Sequence, residues 1–202
     1  MAEVFSAADI LFFEVALPQR HFMTLLSSTS AVRSAAIVLF TGALVGCASG
    51  SSAGPAAVAD LISTRGNVTA GTVNFVQRGS KVLVSGTVTG LKPNQEHGFH
   101  IHEKGDCSSG DGMSSGGHFN PFGKGHAHHG SSERHAGDLP ALKADASGRA
   151  SFSVEMDVIT VADGPASVVG KGLIVHVQPD DYKTQPTGNA GARSACAVIR
   201  RT

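Results

Sequence analysis

Eight of the ten histidines of this 202-residue chain fall within 39 residues, from His97 to His135. The other two are His21 and His176. A solvated surface does not need that density, and imidazole is the side chain that metal ions bind most often. The 16 basic and 16 acidic residues cancel, which argues against a polybasic nucleic-acid binder or a highly charged disordered tail. We therefore expect a fold that gathers imidazoles around metal.

The chain from residue 63 to residue 202 is predicted to form one all-β domain, because alternating, β-branched segments recur with turn residues between them. The predicted strands are 68–77, 81–89, 96–103, 149–157, 172–177 and 196–200. Two long loops separate them, at 104–140 and 178–194, and loops of that length are usually functional. Short strands with turns between them predict a β-sandwich or β-barrel.

The apolar run AAIVLFTGALVG at residues 35–46 is too short to span a bilayer comfortably and fits the hydrophobic region of a secretory signal. Arg33 provides its positive flank, whereas the acidic residues upstream do not fit. We expect residues 1–46 to be a signal peptide, and Met23 would be a better start. Our hypothesis is that residues 1–22 are an over-long gene start.

The apolar run ends at Cys47, in a Leu-Val-Gly-Cys-Ala context that resembles the bacterial lipobox. Such a cysteine is acylated, which predicts a membrane anchor on Cys47 and a place in the bacterial cell envelope, on the periplasmic side. An ordinary cleaved signal with an incidental cysteine is the alternative. Residues 48–60 are small and polar, so 47–62 is predicted to be the lipidated cysteine and a flexible linker.

Two further cysteines remain, Cys107 and Cys196. An exported protein meets oxidising conditions, which suggests one disulfide between them. Two buried free thiols are the alternative.

His100 and His102 are two residues apart on a predicted strand, so both rings point to the same face. That pair alone is a weak metal signal. Further donors follow along the chain: His118, His126, His135 and Asp138. His176 stands alone on an apolar strand, where a histidine is more often part of the core, and its case as a ligand depends on the others.

Five segments together resemble the copper/zinc superoxide dismutases, in that family's order and spacing. They are HGFHIHEKGDC (97–107), GGHFNP (116–121), ERHAGDLP (133–140), GLIVHVQPDD (172–181) and TGNAGARSACAVI (187–199). The resemblance implies a Greek-key β-barrel or sandwich of about eight antiparallel strands with two long functional loops. It also implies dismutation of superoxide to oxygen and hydrogen peroxide by a copper ion cycling between +2 and +1. The variant is similar to the bacterial exported, lipoprotein-like type.

The same resemblance assigns the ligands. Those of copper are His100, His102, His118 and His176; those of zinc are His118, His126, His135 and Asp138. His118 would bridge the two ions, and Asp180 would hydrogen-bond the non-ligating nitrogens of His100 and His126. Four imidazoles suit a copper ion that changes oxidation state. Three imidazoles and a carboxylate suit a closed, structural zinc site.

Arg193 matches the family's anion-guiding arginine, so Arg193 and His118 are the predicted catalytic residues; a surface arginine in a loop is the alternative. Three lysines are candidates for further steering charges, although a solvated surface is the reading favoured for them: Lys104, Lys124 and Lys183. His97 matches a structural position. His128 and His129 have no family counterpart and either recruit metal or have no special role.

Two functional classes remain open from sequence, an enzyme and a metal buffer or chaperone on the same fold. The complete ligand set together with Arg193 favours the enzyme. The predicted partners are superoxide and a membrane through the lipid on Cys47, with no nucleic acid; a homodimer is left open.

Overall fold

A computed structural model describes residues 54–202, so the signal segment and Cys47 lie outside the described residues. The strands are β1 Ala56–Ser63, β2 Ala70–Arg78, β3 Lys81–Thr89, β4 Glu96–His97, β5 Phe99–His102, β6 Leu142–Lys143, β7 Ala150–Met156, β8 Gly172–His176, β9 Arg193–Val198 and β10 Arg200–Arg201. One turn of 3-10 helix spans Met113–Ser115. From residue 54 onward, no helix is long and apolar enough to cross a membrane.

Eight of these strands form one antiparallel sheet in the order β5-β8-β9-β1-β2-β3-β7, with β10 paired to β1. The chain leaves β3 for the far edge at β5, returns to pair β7 with β3, and crosses again to β8. These crossings are Greek-key connections. The all-β prediction, with about eight antiparallel strands and two long loops, is confirmed.

The sheet curls around one apolar core because β1 belongs to both of its halves. Residues Ala56 to Leu61 pair with β2, whereas Ile62 and Ser63 pair with β9. Alternate residues of each strand face inward, as the strand period requires. The largest buried apolar side chains are Phe75, Phe99, Ile101, Leu139, Leu142, Met156, Leu173, Ile174 and Ile199.

The predicted domain start at residue 63 is wrong, and the predicted linker does not extend to residue 62. Strand β1 occupies Ala56–Ser63, and its Ala57, Ala59 and Leu61 are almost fully buried. The composition misled the prediction because the inward positions carry alanine, which fills a narrow space between strands without marking the segment as hydrophobic. The domain therefore includes at least residues 56–202.

Two other strand predictions need correction. The segment 96–103 is two strands, since β4 pairs with the short β6 while β5 pairs with β8. The last predicted strand, 196–200, begins earlier, at Arg193. Arg193 thus lies on a strand next to the second long loop and not within that loop.

Candidate metal centre

Strand β5 places His100 and His102 on one side of the sheet, while the neighbouring Phe99 and Ile101 face the core. All four side chains are buried, because the first long loop runs back along the free edge of β5. Its backbone bonds directly to the strand: Phe119 N–H donates to Ile101 O at 2.8 Å, and Ile101 N–H donates to Gly137 O at 2.9 Å. The loop covers the histidines and brings its own donors opposite them.

The first group of donors comprises His100, His102, His118 and His176, whose ligand atoms all lie within 4.8 Å of one another. His176 reaches this group from β8, next to an irregularity in the pairing of β8 with β9. Four buried imidazoles in contact, with no carboxylate among them, make an all-nitrogen site of the kind that copper prefers.

Hydrogen bonds fix which nitrogen each ring offers. His100 Nε2 donates to Asp180 Oδ2 at 2.7 Å, His102 Nδ1 to Gly116 O at 2.9 Å, and His176 Nδ1 to Gly191 O at 3.1 Å. The remaining nitrogens therefore carry lone pairs. These are buried without a hydrogen-bond partner: His100 Nδ1, His102 Nε2, His118 Nε2 and His176 Nε2. Buried polar atoms are rarely left unpaired, so this set of residues fits a metal ion.

Protonation does not compete at neutral pH for the lone pairs of His102, His118 and His176. Burial lowers the pKa of His102 well below its ordinary value, that of His118 to about 4 and that of His176 to about 3. Neighbouring imidazoles lower these pKa values further. Neutral imidazole is the form that binds metal.

The second group comprises His118, His126, His135 and Asp138, again with ligand atoms within 4.8 Å of one another. Asp138 Oδ1 lies 3.0 Å from Nδ1 of His118 and 3.0 Å from Nδ1 of His126. Burial alone would raise the pKa of Asp138, but hydrogen bonds from the three imidazoles hold it far below the usual range. Burial alone would lower the pKa of His126, but the hydrogen bonds to Asp138 and Asp180 outweigh the effect of burial and raise this pKa to about 9. This pocket favours positive charge, and its three imidazoles and one carboxylate fit zinc.

His118 belongs to both groups because its two ring nitrogens point in different directions. Its Nε2 is the unpartnered atom of the first group. Its Nδ1 faces the second group, 3.4 Å from Nδ1 of His135. One imidazole can therefore contact two cations at once, which is the arrangement that the bridging role implied by the resemblance would need.

Asp180 joins the two groups from the second long loop. It accepts from His100 Nε2 and, through its other oxygen, from His126 Nε2 at 2.9 Å. Gly188 packs against this carboxylate with a φ of 66°, and any β-carbon there would collide with Asp180 Oδ1. Sequence reasoning missed Gly188, although a glycine inside the segment 187–199 was a signal for a close approach.

Arg193 lies at the start of β9, with its guanidinium turned toward the loop that precedes His118. Nη1 donates to Gly112 O at 2.6 Å and to Ser115 Oγ at 2.9 Å, and Nη2 donates to Gly116 O at 2.7 Å. Sequence reasoning missed these three acceptors, because two of them are backbone carbonyls that any residue supplies.

The predicted disulfide between Cys107 and Cys196 is present, with its Cα atoms 5.9 Å apart. It ties β9 to the segment that leads from β5 to the 3-10 turn. The disulfide thus cross-links strand β9, which carries Arg193, to the loop that accepts hydrogen bonds from its guanidinium.

The other predicted residues lie apart from the two groups. His97 is structural, since its Nδ1 donates to His176 O at 2.9 Å and its Nε2 accepts from Lys92 N. His128 and His129 stack with ring centroids 3.9 Å apart. Lys124 is not a free steering charge, because its Nζ lies 2.7 Å from a carboxylate oxygen of Glu133.

Comparisons with known proteins agree with this geometry. Residues 69–199 match the family model for copper/zinc superoxide dismutase. The chain is similar to "Superoxide dismutase [Cu-Zn]" of Paramecium bursaria Chlorella virus 1, with 44% identity over 64% of this chain and 71% of the relative. It is also similar to "Superoxide dismutase [Cu-Zn] 2" of Aquifex aeolicus (strain VF5), with 41% identity over 70% of this chain and 85% of the relative. A crystal structure described as the clock protein EA4 superimposes with a TM-score of 0.67 and 39% identity, covering 73% of this chain and 94% of that one.

Proposed function

This chain belongs to the copper/zinc superoxide dismutase family, and we propose that it removes superoxide at a bacterial cell envelope through His118 and Arg193. As a superoxide dismutase it converts superoxide and protons to oxygen and hydrogen peroxide, with copper and zinc as cofactors. The observation that supports the residue assignment best is the position of His118, which presents one ring nitrogen to each donor group.

The two donor groups support the division of metals. His100, His102, His118 and His176 would hold copper, which supplies one-electron chemistry by alternating between +2 and +1. His118, His126, His135 and Asp138 would hold zinc, whose closed coordination leaves no position for substrate. Asp180 would fix the position of the two sites relative to each other, because one carboxylate orients a ring in each group.

His118 is also suited to move a proton. Its Nε2 is buried and has no partner among the described residues, so it can hold a proton whenever it does not bind a metal. A proton held on Nε2 would face the first donor group, where it could be donated to a reduced, basic oxygen species.

Arg193 would attract and orient the anionic substrate. A guanidinium stays charged at every physiological pH and presents its donors as a planar fork. The fork is half-buried beside His102 and His176. A cation there raises the encounter rate of a small anion. A metal buffer or chaperone, which is the competing function, would not need an arginine at this position.

The test is superoxide decay with purified protein loaded with copper and zinc, comparing His118→Ala with His128→Ala. His118→Ala should lose most activity and much of its zinc, as measured by mass spectrometry of the metals, because both groups lose a ligand. His128 is exposed on the same loop and belongs to neither group, so His128→Ala should behave like the wild type. Normal turnover by His118→Ala would contradict the residue assignment, and a fully metallated wild type without activity would favour the metal buffer.

The envelope location rests on the apolar run 35–46 and on the lipobox-like Cys47 that ends it. Radiolabelled palmitate should label the wild type and not Cys47→Ser, and fractionation should move the variant from membrane to soluble periplasm. Labelling of Cys47→Ser, or a wild type in the cytoplasm, would contradict the anchor. Sedimentation velocity of the mature protein distinguishes a monomer from the homodimer that the sequence left open.

A further inference from the structure

Ser115 ends the 3-10 turn that lies between the disulfide and His118, and it has no exposed surface. The glycines on either side of this turn, Gly112 and Gly116, have φ angles of 79° and 76°, a backbone conformation that other residues rarely adopt. The backbone reverses its direction at each of these glycines. As a result, the carbonyls of both glycines and the Ser115 hydroxyl point toward the guanidinium of Arg193.

The Ser115 hydroxyl is oriented by a closed triangle of hydrogen bonds. Its Oγ donates to Gly112 O at 2.9 Å, which directs an oxygen lone pair toward Arg193 Nη1, also at 2.9 Å. The same Nη1 donates its second hydrogen to Gly112 O at 2.6 Å. Both hydrogens of Nη1 are therefore occupied, one of them by a side chain that the general role of Arg193 does not require.

A guanidinium has five N–H groups. Three are taken by Gly112 O, Ser115 Oγ and Gly116 O, and the remaining two, on Nε and Nη2, have no acceptor among residues 54–202. We infer that Ser115 is a positioning residue for Arg193: it occupies the second Nη1 hydrogen, stops rotation of that group, and leaves only Nε–H and one Nη2–H for the anion. The inference rests on the anion-binding role proposed for Arg193.

The comparison of Ser115→Ala with Ser114→Ala tests this directly. Ser114 is on the same turn, but its Oγ donates to Asp106 O and does not touch Arg193. In the copper(I), zinc protein, nitrogen-15 NMR of the arginine side chains should show rotation about the Arg193 Cζ–Nη1 bond at least about tenfold faster in Ser115→Ala, since a charge-assisted hydrogen bond is lost. Ser114→Ala should match the wild type.

The same variants should separate positioning from mere stability. The inhibition constant of azide, used as an anion probe, should rise about threefold in Ser115→Ala, and kcat/KM for superoxide should fall by a similar factor with kcat retained. A purely structural role would lower the melting temperature and leave the rotation rate and the azide constant unchanged. That result, or equal changes in Ser114→Ala, would overturn the inference.

The wild type alone supplies a second test if Ser115→Ala does not fold. Arg193 should show two resolved, slowly exchanging Nη1 proton signals, whereas the exposed Arg78 should show averaged ones. Averaged Arg193 signals would refute the role of Ser115 whatever the activity. A protein with fixed Arg193 signals and no superoxide dismutation would instead contradict the proposed function and leave Ser115 as the anchor of this guanidinium.

Discussion

His102 and Arg193 share one acceptor, since the carbonyl oxygen of Gly116 receives a hydrogen bond from His102 Nδ1 at 2.9 Å and from Arg193 Nη2 at 2.7 Å. The carbonyl fixes the lone pair of one proposed copper ligand and the direction of the proposed anion-binding group. Movement of this short segment would therefore disturb metal geometry and substrate binding together.

Asp180→Asn should weaken both metal sites. An amide oxygen can accept from only one of the two imidazoles that Asp180 now orients, and its NH₂ group would face the other. We expect the affinities for copper and zinc to fall by about 10- to 100-fold, as loss of a ligand-orienting carboxylate usually causes. Competition with a chromogenic chelator measures this. The matched control is Asp181→Asn, since Asp181 is exposed and its carboxylate bonds only within its own turn; equal losses in both variants would contradict the role of Asp180.

Arg193→Lys should lower kcat/KM for superoxide by about tenfold, because lysine keeps the charge but loses the planar fork. Arg193→Ala should lower it further and flatten its dependence on ionic strength, since the local charge is gone. Pulse radiolysis at several salt concentrations measures both effects. Arg78→Lys, at the exposed end of β2, serves as the control. Wild-type rates in Arg193→Ala would exclude this residue as the anion guide.

Replacing Cys107 and Cys196 together by serine should lower the free energy of unfolding by about 4–5 kcal/mol in the chain-entropy account. The large value follows from the sequence separation of 89 residues between them. Urea unfolding of the metal-loaded protein measures it. The activity of the variant should also fall, because β9 and the loop around Gly112 would no longer be cross-linked beside Arg193. A loss below about 1 kcal/mol would show that the reduced chain is already constrained in its unfolded state.

Asp157→Asn should destabilise the protein at pH 7 by about 1 kcal/mol, and by progressively less as the pH falls toward 3. The buried Arg134 donates to Asp157, and this hydrogen bond lowers the pKa of the Asp157 carboxyl. A carboxyl with a lowered pKa stabilises the fold above its unfolded-state pKa, near 4, and the stabilisation is lost as the pH falls through the folded value. The energy is small because the side chain of Asp157 is 63% exposed.

The measurement for Asp157 is urea unfolding from pH 3 to pH 8. Asp163→Asn is the control, because its partner Arg201 is itself exposed and tolerates the loss. A difference between Asp157→Asn and wild type that persists unchanged at pH 3 would mean that packing, and not charge, stabilises this contact.

Side chains with a chemical signature were predictable from sequence. The histidines and Asp138 stood out as a cluster of metal donors, and the resemblance to the family divided them into two groups and added Asp180; the structure brings them together. The alternation of Val82, Val84 and Val88 likewise predicted the inward face of β3. These features depend on residue type and on the period of the strand.

Features that depend on backbone or on small residues escaped prediction. The carbonyls of Gly112 and Gly116 hold Arg193, but a carbonyl is the same in every residue. Strand β1 was mistaken for a linker because Ala57 and Ala59 carry little hydrophobic signal. The carbonyl contacts to Arg193 and the burial of β1 both arise from contacts between segments far apart in the sequence, which a local sequence pattern does not reveal.

Strand β1 pairs with strands made more than a hundred residues later, β9 and β10. The curled sheet can therefore close only after the last residues of the domain have been synthesised. Such non-local pairing slows folding. His176 is supplied by β8, which can pair with β5 only after the long segment between them has been made, so a partly synthesised chain would lack one member of the first donor group.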